Sequence, residues 1–158
     1  MWSSSERWVR ASRELRTRID SPRRAWLLLR MVGWWSGLVC LRPFAPLKWM
    51  LRLVTPGEIN HTLQAADVEQ CILWLDSTGV WRRQGACLPR ALVCRRFLSL
   101  AGLEPTLLVG FNGEVGHAWV EVEGAAFQES GSGDFRAVLM ARPGSIQVER
   151  VEVTRPGG

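Results

Sequence analysis

The chain contains four cysteines, Cys40, Cys71, Cys87 and Cys94, and no Cys-x-x-Cys pair among them. Cys87 and Cys94 would share a helix face, but no second pair and no nearby histidine completes four ligands. A zinc or other metal centre is therefore not expected. There is no secretory signal either, since the first apolar run follows a long lead studded with arginines. The expectation is a reducing, cytoplasmic compartment with free thiols. Acidic residues are scarce at the start: residues 1–52 hold 11 Lys+Arg against 3 Asp+Glu, a net +8, whereas residues 53–158 hold 9 against 12, a net −3. These arginines follow no nucleic-acid-binding motif, so nucleic acid is not an expected partner. No run is long enough to span a bilayer. The uncharged stretch Met31–Leu41 is 11 residues, against the roughly 20 required. Internal repeats are absent.

What is present divides into two segments of one continuous domain. Residues 1–54 are basic, rich in Trp and Leu, and helical by pattern; six of the nine Trp lie in the first 50 residues. Residues 1–24 read as a frayed, solvated helix. Asp20-Ser21-Pro22 is a helix-start signal, with Ser21 as N-cap. The run from Ala25 to Leu41 is apolar nearly all round, and a second short helix is expected over Ala45–Val54. These helices either cover the catalytic core or present a docking face to another protein or a membrane surface. Thr55-Pro56-Gly57 breaks the chain. A helix is expected over Glu58–Leu75, with Ile59, Leu63, Ala66 and Ile72–Leu73 toward the core. His61 falls in it and reads as a surface or capping residue.

Residues 55–158 hold the chemistry. A helix over Cys87–Ala101 closes at Gly102, and Thr106–Phe111 reads as a strand buried on both faces. Asn112-Gly113 signals a turn. His117–Glu123 then alternates, with Ala118, Val120 and Val122 on one side and His117, Trp119, Glu121 and Glu123 on the other. Ala125–Gln128 and Ser145–Val153 are further strand candidates, separated by the flexible Ser130-Gly131-Ser132-Gly133 loop. Cys87 opens its helix, where free N–H groups and the partial positive charge favour a thiolate. His117 stands where a turn gives way to a strand. A thiol and an imidazole so placed are the material of a nucleophile and its base. Each residue nearby has a plainer reading as well. Cys94 reads as a small buried hydrophobe. Trp119 walls a cleft, shields the imidazole, or packs. Arg90 lies near the thiol or is solvated. Gln84 adds an amide to the Cys87 N–H as an oxyanion donor, or is an ordinary surface residue.

The string Gly85-Ala86-Cys87-Leu88-Pro89-Arg90, then Gly102-Leu103-Glu104-Pro105-Thr106-Leu107-Leu108-Val109-Gly110, then His117-Ala118-Trp119-Val120-Glu121-Val122-Glu123-Gly124, resembles the transglutaminase-like leader peptidase of lasso peptide biosynthesis. That enzyme is the peptidase half of the family's B protein, often encoded as a separate chain. The likeness runs over residues 60–130 by motif. It implies an α+β fold with a transglutaminase-like, papain-like core in which the cysteine, at a helix N-terminus, packs on a small antiparallel sheet behind N-terminal helices. It implies a cysteine peptidase that removes the leader from a lasso precursor peptide before macrolactam cyclisation, with Cys87 as nucleophile and His117 as base. The family's third member is usually an Asp on the strand after the His. The matching position here holds Glu129, a departure that keeps a carboxylate, with Asp134 as the alternative. No cofactor is implied. The implied partners are the precursor, a small leader-binding protein of the RiPP-recognition-element kind, and an ATP-dependent lasso cyclase. Residues Trp8–Val54 are the expected docking surface for the leader-binding protein; membrane contact is the less favoured use. The same triad would also serve a transamidase or amidase. A non-catalytic adaptor built on the Trp-rich helices is the reading from another class.

Overall fold

The computed structural model describes residues 21–57, 63–79, 81, 86–127 and 135–151. Four helices precede the sheet: α1 (Pro22–Leu41), α2 (Leu47–Val54), α3 (Ala65–Thr78) and α4 (Cys87–Leu100). Five strands follow: β1 (Thr106–Asn112), β2 (Val115–Val122), β3 (Ala125–Ala126), β4 (Arg136–Ala141) and β5 (Glu149–Arg150). The strands form one antiparallel sheet in the order β3-β2-β1-β4-β5. The expected α+β class is what the chain adopts.

Local chemistry explains the element ends. Ser21 caps α1, its hydroxyl accepting from the Arg24 N–H at 3.3 Å, with Pro22 in the first turn. Gly79 ends α3 in the left-handed region at φ 72°, where a Cβ would be strained. Helix α3 begins at Ala65 rather than Glu58, because Leu63 and Gln64 are already outside it. Its core face is Val68, Cys71, Ile72 and Leu75, and Ala66 is exposed, contrary to expectation. Ile59 and His61 lie outside the described residues.

Helix α4 is the centre of the molecule. Nine of its 14 residues are buried, Arg95 among them. It packs against α1, α2 and α3 and, on the sheet, most extensively against β2. Leu92, Phe97 and Leu98 are fully buried, each contributing about 1.5–3 kcal/mol by removal from water. The same core takes in Leu27 of α1, Val54 of α2 and Ala141 of β4. Residues on both sides of position 54 therefore share it.

The β1–β2 hairpin turns through Gly113 and Glu114, with Asn112 opposite Val115. Gly113, at φ 61°, takes the first loop position, the place of glycine in a type II′ turn. The turn signal thus sits one residue later than Asn112-Gly113 would place it. Glu123 and Gly124, both at positive φ, form the next hairpin turn. Strand β4 was not legible from alternation: Arg136–Ala141 is half-buried along most of its length. Only Ala125–Ala126 and Glu149–Arg150 of the two last expected strands are strand among the described residues.

Candidate active site

Cys87 is the first residue of α4 and is half-buried against the core. Ala86, at the N-cap, offers no side-chain oxygen, and no side-chain cap is made. The first helical bond runs from the Arg90 N–H to the Ala86 carbonyl at 3.0 Å. Pro89 has no N–H. The first-turn donors without a helical partner are therefore the N–H groups of Cys87 and Leu88, and a helix N-terminus favours an anion beside it.

Arg90, one turn further, holds that end in place. Its guanidinium forms a fork with Asp76 of α3, Nε to Oδ1 at 3.0 Å and an outer nitrogen to Oδ2 at 2.9 Å. Both side chains are mostly buried, which makes a bidentate pair of this kind stronger than an exposed one. Asp76 carried no sequence signal beyond its place at the end of α3. Only the fold shows that it meets Arg90.

His117 is the third residue of β2, inside the strand rather than at its opening, and pairs with Gly110 of β1. Register puts His117, Trp119 and Glu121 on one face and Ala118, Val120 and Val122 on the other, as the alternation predicts. The second set joins the core with α4. Trp119 lies nearly parallel to the imidazole, 13° between planes and 6.1 Å between centroids. Phe135, just before β4, sits 4.8 Å from the imidazole at a 35° tilt. Trp119 is only 3 % exposed, and its indole N–H donates to Glu121 Oε1 at 3.2 Å. Its place is beside the histidine, walling the ring in. Phe135 had no sequence signal, since it adjoins the Gly/Ser-rich loop.

Gly110 explains how the ring row fits. A Cβ there would stand 2.6 Å from the Arg136 carbonyl oxygen and 2.9 Å from Cη2 of Trp119. The β1–β4 register also shifts between Val109 and Gly110, a bulge opposite His117 of the kind that re-aims strands beside functional sites. Gln84, Glu129 and Asp134 lie outside the described residues.

The other cysteines are placed differently. Cys94 is buried and Cys40 exposed. Cys71 is buried, and desolvation, helped by Asp67 and opposed by Arg24, pushes its thiol from 9.0 up to about 11. Such a thiol resists ionisation and makes a poor nucleophile.

Neither a curated protein nor a solved structure is significantly similar to the chain. Residues 38–140 match the family model of the Transglutaminase-like superfamily, whose members are typically cysteine-dependent enzymes. That span covers well over half of the chain and takes in the cysteine-bearing helix, the histidine-bearing strand and all but the last residue of β4, so the chain belongs to the transglutaminase-like superfamily.

Proposed function

We propose that the protein is a cysteine peptidase that removes the leader from a lasso precursor peptide. The observation that carries the reading is the pairing of elements: Cys87 at the uncapped start of α4, and His117 held between Trp119 and Phe135 on β2, the strand against which α4 packs most. In this reading the Cys87 thiol and the His117 imidazole act as one nucleophile–base pair. The Cys87 thiol gives its proton to His117 and its sulfur attacks the scissile carbonyl, the N–H groups of Cys87 and Leu88 receiving the oxyanion before the peptide C–N bond breaks. His117 protonates the departing amine of the core peptide. It then takes a proton from water as the leader acyl-enzyme is hydrolysed.

The lasso specificity rests on the Cys-Leu-Pro-Arg and His-Ala-Trp-Val-Glu strings together. Glu129, or Asp134 in its place, orients His117 through the other ring nitrogen. A small leader-binding protein presents the precursor and docks within the arginine- and tryptophan-rich segment Trp8–Val54, the arginines before Ser21 included. An ATP-dependent cyclase then joins the freed N-terminus to an acidic side chain. A transamidase would use the same residues with an amine in place of water.

The test is cleavage of precursor in the presence of the leader-binding partner, read by mass spectrometry. Cys87→Ala is expected to abolish leader removal, while Cys40→Ala, Cys71→Ala and Cys94→Ala retain most of it. Glu129→Ala is expected to cost more than Asp134→Ala, and the reverse order reassigns the third member. Removing residues 1–20 is expected to weaken cleavage at low partner concentration and to be rescued by excess partner. Full cleavage by Cys87→Ala removes the peptidase assignment.

A further inference from the structure

The outer sides of α1 and α2 are apolar and basic at once, and the reaction assigned to Cys87 makes no use of them. Helix α1 buries Leu27, Leu28, Met31, Trp35 and Leu38. Its opposite side exposes Trp26 at 61 % and Leu29 at 62 %. Steps of three and four residues carry that stripe on through Gly33 and Gly37 to Leu41. Phe44 follows in the connection, 86 % exposed, and α2 adds Trp49 at 64 % with Leu53 one turn on. Isolated exposed apolar residues need no explanation, but a helix side built of them does.

Charge selects the occupant. From Pro22 to Gly57 there are six Lys or Arg and no Asp or Glu. Among the described residues no carboxylate pairs with Arg30, Lys48 or Arg52. A second copy of this chain would set basic against basic, so a self-interface is disfavoured. Trp, Phe and Leu interleaved with Lys and Arg, without acids, is the composition of helices that lie in the interface of an anionic bilayer. The glycines add a receptacle. Nothing lies within 4 Å of a Cβ placed at Gly33 or Gly37. They floor an open trough of about 380 Å³ lined also by Trp34, Leu38 and Leu41, with Arg30 as its one charged wall. An acyl chain under a phosphate matches that lining. No helix of the described residues is long and apolar enough to cross a membrane, so the contact is with the surface.

We propose that the outer face of α1 and α2 docks on an anionic lipid surface. The test is sedimentation of the full-length protein with vesicles of phosphatidylcholine alone, or of phosphatidylcholine with phosphatidylserine, at low and high salt. Binding to the mixed vesicles only, weakened by salt, is expected. The triple variant Trp26→Ser/Leu29→Ser/Phe44→Ser changes exposed positions, so circular dichroism should stay that of wild type, while vesicle binding falls roughly tenfold or more. Lys48→Gln/Arg52→Gln is expected to lose about fivefold per charge. Three results overturn the proposal: folded wild type that ignores both vesicles; a triple variant that binds vesicles as wild type does; or a triple variant that loses a protein contact, dimer or leader-binding partner, with vesicle binding unchanged.

Discussion

Replacing Arg95 by alanine should be among the most damaging single changes in this protein. Arg95 lies in the middle of α4 and is 2 % exposed. One outer nitrogen donates to the carbonyls of Arg142 at 2.8 Å and Ser145 at 2.6 Å, and the other to the Thr55 hydroxyl at 3.4 Å. Burial pushes its pKa below the usual guanidinium value. Its bonds tie α4 to the turn after β4 and to the end of α2. Alanine removes the donor that the Arg142 and Ser145 carbonyls share, and opens a cavity where the long stem lay. Allowing for partial relaxation, the loss is about 3–5 kcal/mol, out of the roughly 5–15 kcal/mol typical of a folded chain. Arg95→Met refills most of the volume without the bonds and should recover only the packing part. Urea denaturation followed by circular dichroism measures both, with an unchanged slope showing that stability alone moved. A loss below about 1 kcal/mol for Arg95→Ala would refute the reasoning, because a residue so buried and bonded cannot be that dispensable.

Gly110→Ala drives a Cβ into backbone, the Arg136 carbonyl, and should cost about 1–3 kcal/mol. Gly37→Ala, facing open space in a helix, should be neutral or stabilise by about 0.5–1 kcal/mol; paired thermal melts compare them. The buried Cys71 thiol favours the protonated form, so its contribution is complete below pH 9 and is lost as pH rises from 9.0 toward about 11. Alkylation with mass mapping should accordingly modify exposed Cys40 well before Cys71. Asp76→Asn removes the charge that grips Arg90 and should cost about 1 kcal/mol of stability. It should lower kcat several-fold with little change in KM, since the start of α4 is loosened while the binding surface is kept.

Features that depend on neighbours in the chain were legible in the sequence. Ser21-Pro22 announced the start of α1, Gly79 and Gly102 the ends of α3 and α4, and the alternation from His117 to Val122 the two faces of β2. The cysteine at a helix start was legible because Gly85-Ala86 precedes Leu88, Ala91, Leu92 and Leu98 at helical spacing. Contacts between distant residues were not. Nothing near Asp76 marks its bond to Arg90, and an arginine on the apolar stripe of α4 gave no sign that three distant oxygens would receive it. Strand β4 escaped because half-burial along its length erases alternation. Helix α1 read as apolar all round, yet only the fold shows that Trp26 and Leu29 turn outward.

The central claim is that Cys87 carries the acyl group. Mixing enzyme, partner and precursor, quenching in acid within the first turnover and mapping the protein by mass spectrometry tests it directly. The account predicts a thioester to the leader on the peptide containing Cys87. The adduct should be absent from Cys87→Ala and should scarcely form in His117→Ala. Cleaved precursor with no adduct on Cys87 in any rapid quench, or an adduct on another cysteine, would contradict it.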